Sequence, residues 1–343
     1  MCLILKVNKR FFMIGFISFI IIIALAVIMY NIFAVEAENK DYIKWFEFTA
    51  EYDILDKTSK LDISSHVNNE EIKYNWVELI AYLACKYGSD LNKFKSSDLD
   101  VLVNKLKNGE TMESITKDLK NYSYYYEAYN SVLKEFIGEY EIQVSDANGN
   151  ISFEKKYGIK AFSPIAKNYS FSHYNDFGSS RSYGYKRRHL GNDLMGSIGT
   201  PIIAVESGIV EALGWNQYGG WRIGIRSFDK KRYYYYAHLR KGHPYASDMY
   251  EGKIVKAGDV IGYLGMTGYS SKEDVNNINV PHLHFGLELI FDESQKDGVN
   301  QIWIDLYNIV EFLRKNKSEV ILENSETKDY QRKYDIIDPI VPE

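Results

Sequence analysis

The sequence predicts an α+β protein with an N-terminal transmembrane helix, a helical domain, and a mainly antiparallel β domain followed by a C-terminal helix. Three observations support this. Residues 11–35 form a long uncharged apolar run, residues 43–141 carry apolar side chains at helical spacing, and short alternating segments separated by glycines follow Phe162. A chain of 343 residues with 45% hydrophobic and 25% charged residues can fill at least one full core.

The apolar run at residues 11–35 exceeds the roughly 20 residues that a helix needs to cross a bilayer. Lys9 and Arg10 precede it and Glu36 follows it, so the positive-inside rule predicts a cytoplasmic tail at residues 1–10 and an extracytoplasmic remainder. The alternative is a signal peptide cleaved near Ala37, which would release a secreted protein. Because the apolar region of a signal peptide spans only about 7–15 residues, the length favours a retained single-pass anchor in the cell membrane.

The cysteines and the net charge exclude two further classes. Cys2 and Cys85 are predicted on opposite sides of the membrane, so they cannot form an internal disulfide. A net charge of −5 and a pI near 5.9 do not suggest the basic face that nucleic-acid binding requires. We therefore expect no nucleic-acid partner.

A helical domain is predicted at residues 36–142. One helix is expected over 75–86, and a second starts at a Ser96 or Ser97 cap and ends at Gly109. A third begins at Thr111, and a fourth spans 124–140 with tyrosines at helical spacing, which are typical of a packed core.

The pattern changes to strands near residue 141. A hairpin turning at Asn148-Gly149 predicts a β linker over 143–160, and the glycine-separated strands predict a β domain over 161–295. A closing amphipathic helix is predicted from Ile302 to Val320, within a segment at 296–320. The polar residues 321–343 are predicted to be a loose tail.

Four histidines and one aspartate lie in three short segments, His189-Leu-Gly-Asn-Asp193, Ala237-His238-Leu239 and Pro281-His282-Leu-His284. Period-two alternation places His282, His284 and Glu288 on one face of a strand. In the same way, His238 is predicted to share a face with Tyr234 and Tyr236. His189 and Asp193, four residues apart, are expected on one side of an extended segment.

Three protein ligands of mixed imidazole and carboxylate type, with an open fourth position, are typical of a hydrolytic zinc centre. Zinc lowers the pKa of bound water and polarises a carbonyl, so no protein nucleophile is needed. The two remaining histidines can then transfer protons and stabilise the developing oxyanion.

Residues 161–290 resemble the lysostaphin-type, or LytM-like, zinc metallopeptidases, which cut peptide cross-links in bacterial cell walls. The segment from His189 to Asp193 resembles the HxGxD motif of that family. The blocks Gly199-Thr-Pro201, Tyr236-Ala-His-Leu239 and Pro281-His-Leu-His-Phe285 resemble its later motifs. The resemblance implies that His189, Asp193 and His284 bind one Zn²⁺, and that His238 and His282 are catalytic.

The function implied is a membrane-anchored zinc metalloendopeptidase that hydrolyses peptide bonds in peptidoglycan stems or cross-bridges. Its expected partners are peptidoglycan, the membrane through residues 11–35, and a protein regulator through the helical domain. The alternative is a non-catalytic zinc-binding scaffold or activator in a division or sporulation assembly. A third interpretation keeps the enzyme and makes the helical domain an inhibitory lid.

Other residues carry weaker expectations. The polar insert at 269–280 is longer than the usual link in the family and is expected to form a wall of the cleft. His66 and His243 are expected at the surface, whereas His173 lies upstream of the first motif, where a segment can line the site. Glu288 is expected either to orient a ligand histidine or to lie at an exposed strand end.

Overall fold

The structure is a computed structural model that describes residues 19, 21–25, 42–296, 298 and 300–342. The chain divides into two compact units, Met1–Ile43 and Lys44–Glu343. All elements below belong to the second unit.

The predicted membrane anchor requires a correction. Most of the predicted anchor, residues 11–35, lies outside the described residues. In the described part of the chain, no helix has both the length and the apolar character needed to cross a membrane. The predicted single-pass localisation is therefore wrong: an apolar run with flanking charges predicted a spanning helix, and no described helix meets that requirement.

Six α-helices are described in the second unit, and most of them precede the first β-strand in the sequence. They are α1 Tyr52–Val67, α2 Trp76–Tyr87, α3 Ser96–Lys107, α4 Met112–Thr116, α5 Tyr122–Leu133 and α6 Tyr307–Leu313. Two 3₁₀ turns, Leu91–Lys93 and Glu293–Gln295, accompany them. The side chain of Asn75 caps α2 by accepting hydrogen bonds from the backbone N–H groups of Val77 and Glu78. Gly88 ends the same helix at φ 61°.

Two predicted helices are shorter than expected. The helix predicted over 124–140 ends at Leu133, and a strand begins at Ile137. The closing helix, predicted from Ile302, begins only at Tyr307 because Ile302 and Trp303 pair with a neighbouring strand. Short apolar stretches fit helix and strand spacing equally well, so tertiary pairing decides between them.

The strands form one large sheet and several small ones. They are β1 Ile137–Ser145, β2 Ile151–Ile159, β3 Ser172–His173, β4 Ser180–Arg181, β5 Arg187–Arg188, β6 Asn192–Met195, β7 Pro201–Ile203, β8 Gly208–Asn216, β9 Gly220–Ser227, β10 Arg232–Ala237, β11 Ile254–Val255, β12 Val260–Tyr263, β13 His282–Leu289, β14 Ile302–Trp303, β15 Val320–Asn324, β16 Asp329–Arg332 and β17 Ile336–Ile337. The large sheet has the order β11-β8-β9-β10-β13-β6-β3, and β14 also pairs with β13. Every pairing is antiparallel, which confirms the predicted mainly antiparallel β domain.

The predicted loose tail is folded. Strands β15 and β16 form a hairpin, and β17 adds to the edge of the β1–β2 pair. Ile336 is fully buried in an apolar cluster that includes Phe162, Ile203 and Tyr263. The prediction was wrong because a polar segment can be held by one buried isoleucine and by paired carboxylates such as Asp338, which hydropathy does not reveal.

A buried arginine connects the helices to the large sheet. Arg232, at the start of β10, is completely buried and forms two hydrogen bonds of 2.8 and 2.9 Å with the Glu206 carboxylate. Its other guanidinium nitrogen donates to the carbonyl oxygen of Ser131 in α5, at 2.8 Å. The guanidinium, which the Glu206 carboxylate holds in place, thus connects α5 to the sheet through a charge-assisted hydrogen bond.

Candidate metal centre and catalytic cleft

The metal-ligand candidates are placed by two adjacent strands. In the register of β13 and β6, His284 lies directly opposite Asp193. Gly191 lies just before β6, where an added Cβ would come within 2.6 Å of the Phe285 carbonyl oxygen and 2.8 Å of the His284 ring. Only glycine therefore lets the chain pass close enough to bring His189 beside His284.

His189, Asp193 and His284 converge on one point. His189 Nε2 lies 2.8 Å from His284 Nδ1 and 3.0 Å from Asp193 Oδ1, and His284 Nδ1 lies 3.2 Å from the same oxygen. His189 and Asp193 are buried, and His284 is partly buried. Three acceptor-bearing groups packed this closely need a shared cation or proton to offset the repulsion of their lone pairs.

This donor set fits zinc. Tetrahedral zinc sites take imidazole and carboxylate ligands at about 2.0–2.2 Å, which separates neighbouring ligand atoms by about 3.3 Å. The three ligand atoms here are 2.8, 3.0 and 3.2 Å apart. A small outward movement of the side chains would complete such a site, so the cluster can hold a metal ion.

Two residues beside the cluster, Asp176 and Arg181, were not foreseen from the sequence. Two oxygens of Asp176 face His189 Nδ1: the side-chain Oδ2 at 3.2 Å and the backbone carbonyl oxygen at 3.1 Å. Arg181 Nη2 donates to Asp176 Oδ2 at 2.8 Å and to Asp193 Oδ2 at 3.0 Å. Their segment lies upstream of the first motif, and neither residue type nor spacing marks them there.

In the metal-free cluster, the carboxylates of Asp176 and Asp193 control the protonation of the histidines. Burial alone lowers the pKa of His189, but the Asp176 and Asp193 carboxylates outweigh it and raise this pKa to about 9. Burial raises the pKa of Asp193, but hydrogen bonds from His189 and His284 hold it far below its ordinary value. Burial also lowers the pKa of His284. Asp193 is thus a permanent anion within the cluster.

His238 and His282 lie side by side next to this cluster. Their ring centroids are 4.8 Å apart, and His282 Nε2 lies 3.6 Å from Asp193 Oδ1. His238 Nδ1 is 2.8 Å from the Thr267 carbonyl oxygen, and His282 Nδ1 is 2.8 Å from that of Val280. Burial lowers the pKa of His238 well below its ordinary value, so this ring is neutral near pH 7.

The predicted face of His238 is wrong. Tyr234 and Tyr236 are buried and pack against Phe285, whereas His238 lies near His284 on the cleft side, with ring centroids 5.9 Å apart. The alternation fails because β10 ends at Ala237 and His238 adopts φ 62°. This left-handed conformation turns the His238 side chain to the opposite side of the sheet from Tyr234 and Tyr236.

All five residues line one cleft of about 480 Å³. The remaining lining residues in the described chain are Arg181, Arg187, Arg188, Leu190, Met195, Tyr218, Gly219, Tyr235, Tyr269, Asn277, Ile278, Asn279 and Val280. The insert at 269–280 therefore forms a wall of the cleft, as predicted. None of these described residues belongs to the helices before β1, so the structure provides no contact for an inhibitory helical lid.

The other singled-out residues lie away from the cluster. His173 is buried with Nδ1 3.2 Å from Glu311 Oε1, so it does not line the cleft. His66 stacks on Tyr157, and His243 Nε2 pairs with Asp329 at 2.7 Å. Glu288 is 2% exposed, so the predicted exposed strand end is wrong.

Comparison with known proteins places this cleft in a family. Residues 187–298 match peptidase family M23. The chain is 39% identical over 124 residues to the L-Ala--D-Glu endopeptidase of Bacillus subtilis (strain 168). The matched segment covers 36% of each of the two chains. It is 40% identical over 98 residues to lysostaphin of Staphylococcus simulans, covering 28% of this chain and 17% of lysostaphin.

Among solved structures, the catalytic domain of lysostaphin from Staphylococcus simulans is similar, with 34% identity and a TM-score of 0.28. That similarity covers 35% of this chain and 80% of the lysostaphin domain. The chain spans about a third or less of the length of the curated relatives given above. The matched region contains the three cluster residues, His238 and His282, and both cleft strands, β6 and β13. Residues 187–298 are therefore a peptidase family M23 domain.

Proposed function

We propose that this chain is a zinc metalloendopeptidase that hydrolyses peptide bonds in peptidoglycan stems or cross-bridges. The observation that carries the proposal is the arrangement of five side chains in one cleft: a ligand cluster of His189, Asp193 and His284, with His238 and His282 beside it. A scaffold protein has no need for the two additional imidazoles.

His189, Asp193 and His284 would hold the zinc ion and leave a coordination position toward the cleft. When bound, zinc supplies a Lewis acid beside the scissile carbonyl. Asp193 contributes a negative charge, and Arg181 orients its carboxylate through the 3.0 Å hydrogen bond to Oδ2, which leaves Oδ1 for the metal.

His238 and His282 are the proposed proton carriers. Each ring presents Nδ1 to a backbone carbonyl oxygen, so Nδ1 carries the proton and Nε2 keeps a lone pair in the neutral ring. A neutral ring can accept the proton of the attacking water at Nε2. Once protonated, the same nitrogen becomes a donor that can stabilise the oxyanion or protonate the leaving amine.

The substrate class is supported by the relatives. One is named for cleavage between L-Ala and D-Glu, and lysostaphin is described as an antimicrobial peptidase. The cleft is open at the surface, as an enzyme that acts within a polymer requires.

The test uses the full chain loaded with zinc and purified bacterial cell walls. We expect soluble peptides with new amino termini, identified by mass spectrometry, and loss of their release after chelation, with recovery on adding zinc. His282→Ala should lower the rate by at least about 100-fold, since a positioned acid–base group contributes 10²–10⁴-fold.

His66→Ala is the matched control, because His66 stacks on Tyr157 outside the cleft. It should hydrolyse walls at the wild-type rate. Cell walls left intact by the zinc-loaded wild type would overturn the proposal, and so would equal hydrolysis by the His282→Ala variant.

A further inference from the structure

An arginine at the mouth of the cleft is surrounded by aromatic rings. The Arg187 guanidinium carbon lies 5.0 Å from the ring centroid of Tyr218, 5.5 Å from that of Tyr269 and 6.0 Å from that of Tyr185. Its Nη1 donates to the Tyr183 carbonyl oxygen at 2.7 Å. Cation–π contacts and this hydrogen bond orient the guanidinium without neutralising its charge.

The surrounding rings come from three separate segments and pack on one another. Tyr183, in the turn between β4 and β5, stacks on Tyr269 of the insert with ring centroids 4.5 Å apart and planes at 11°. Tyr185 packs edge-on against Tyr218, and a Cβ at Gly184 would lie 3.3 Å from the Tyr218 ring. The arginine is therefore held by a built cluster and not by a single flexible loop.

The charges in the cleft are unbalanced. Arg181 is paired with Asp176 and Asp193, whereas Arg187 and Arg188 form no ion pair with any carboxylate in the described ranges of the chain. Of the residues described as lining the cleft, only Asp193 carries a carboxylate, and it belongs to the metal cluster. An acidic group on a substrate would thus be the natural partner of Arg187.

Arg187 is close to the site of reaction. Tyr269, whose ring it contacts, lies 5.9 Å from the His238 ring centroid to centroid. One aromatic ring thus separates the guanidinium from a proposed proton carrier. Because an extended peptide advances about 3.3–3.6 Å per residue, Arg187 can reach a carboxylate within about three residues of the scissile bond.

We infer that Arg187, held by Tyr185, Tyr218 and Tyr269, is a specificity-determining residue that binds a free carboxylate of an acidic peptide substrate. The inference rests on the proposed peptidase function and narrows its substrate class. Acidic stem peptides are then preferred to neutral segments such as glycine bridges, because a neutral segment offers the guanidinium no carboxylate to pair with.

The experiment compares two stem peptides with the zinc-loaded full chain. One is L-Ala-γ-D-Glu-L-Lys-D-Ala-amide with a free glutamate α-carboxylate, and the other has an amide in place of that carboxylate, so the two peptides differ in their single carboxylate. We expect kcat/KM to be about tenfold higher for the free carboxylate, the usual effect of one hydrogen bond to a charged group. In Arg187→Gln the ratio should fall to near one, because the free carboxylate loses its partner.

Lys186→Gln is the matched control, since it removes a neighbouring exposed charge that does not line the cleft. It should keep the wild-type ratio. An unchanged ratio in Arg187→Gln, or an equal loss on both peptides, would overturn the role of Arg187. If wild type cleaves neither peptide, hydrolysis of whole cell walls decides the peptidase function separately, and calorimetry tests Arg187 alone: tenfold weaker binding of the acidic peptide by Arg187→Gln supports its role, and equal binding overturns it.

Discussion

Asp176 lies directly behind His189: its Oδ2 is 3.2 Å from His189 Nδ1, while Nε2 on the opposite side of the ring faces Asp193 and His284. A carboxylate in this position fixes which ring nitrogen carries the proton and makes the other a better metal ligand. The backbone N–H of Asp193 also donates to Asp176 Oδ1, at 3.3 Å. One residue outside the recognised motif therefore orients two of the three ligands.

Asp176→Asn should weaken zinc binding by about 10–100-fold, the usual effect of losing such a partner. The measurement is zinc affinity by competition with a chromophoric chelator. Asp248→Asn serves as the control, because Asp248 is an exposed carboxylate paired with Lys253 outside the cleft. Equal affinity in both variants would show that Asp176 does not support His189.

Gly191→Ala should displace His284. The new Cβ would lie 2.6 Å from the Phe285 carbonyl oxygen and 2.8 Å from the His284 ring, so a strand or the ring must move. We expect a loss of about 1–3 kcal/mol in the free energy of unfolding, as is typical of overpacking, together with weaker zinc binding. Thermal unfolding and zinc content measure both effects.

Gly158→Ala is the comparison for this variant, because no atom lies within 4 Å of a Cβ at that position. It should unfold and bind zinc like the wild type. A Gly191→Ala protein with wild-type zinc content and stability would show that the close approach of β6 and β13 is not required.

The metal-free protein should lose stability as the pH rises from about 6.5 to 9. The folded pKa of His189 is raised to about 9, above the unfolded value of about 6.5, so its contribution is complete below pH 6.5 and is lost as the pH rises through 9. Zinc binding should also release a proton between these values.

Denaturant unfolding after chelation, repeated at several pH values, measures the loss of stability. Calorimetry in buffers of different ionisation enthalpy measures the proton that zinc binding releases. His189→Ala should abolish the slope. A stability that is constant between pH 6.5 and 9 in the metal-free wild type would contradict the assigned pKa.

Removing Arg232 should destabilise the fold by about 3–5 kcal/mol, because Arg232→Met leaves the buried Glu206 carboxylate without its partner. The double variant Arg232→Met/Glu206→Gln should be more stable than Arg232→Met, since it contains no unpaired buried charge. Denaturant unfolding of the metal-free proteins measures both. A double variant that is less stable than the single one would contradict this explanation.

Local patterns identified much of the fold and the five histidine and aspartate residues that the structure brings together in the cleft. Strand alternation correctly placed His282 and His284 together, because β13 is regular and pairs with β6 along this stretch. It failed at His238, where a left-handed residue follows the strand end. Alternation describes only continuous strands, so it cannot register such a reversal.

Long-range partners were not predictable in the same way. Asp176 and Arg181 belong to the site through ion pairs that form only after β4, β5 and β6 are assembled. Ile336 enters a core because β17 pairs with β1, nearly 200 residues earlier in the chain. A single sequence contains no local signal for either contact.

His189, Asp193 and His284 are the proposed zinc ligands, whereas His282 is a proposed proton carrier that does not bind the metal. The most direct test is zinc content per chain, measured by inductively coupled plasma mass spectrometry on full-length variants after dialysis. We expect about one zinc in wild type and in His282→Ala, and almost none in Asp193→Ala and His284→Ala, because a site with three protein ligands fails without one of them. Full zinc content in Asp193→Ala and His284→Ala would show that these residues are not the zinc ligands.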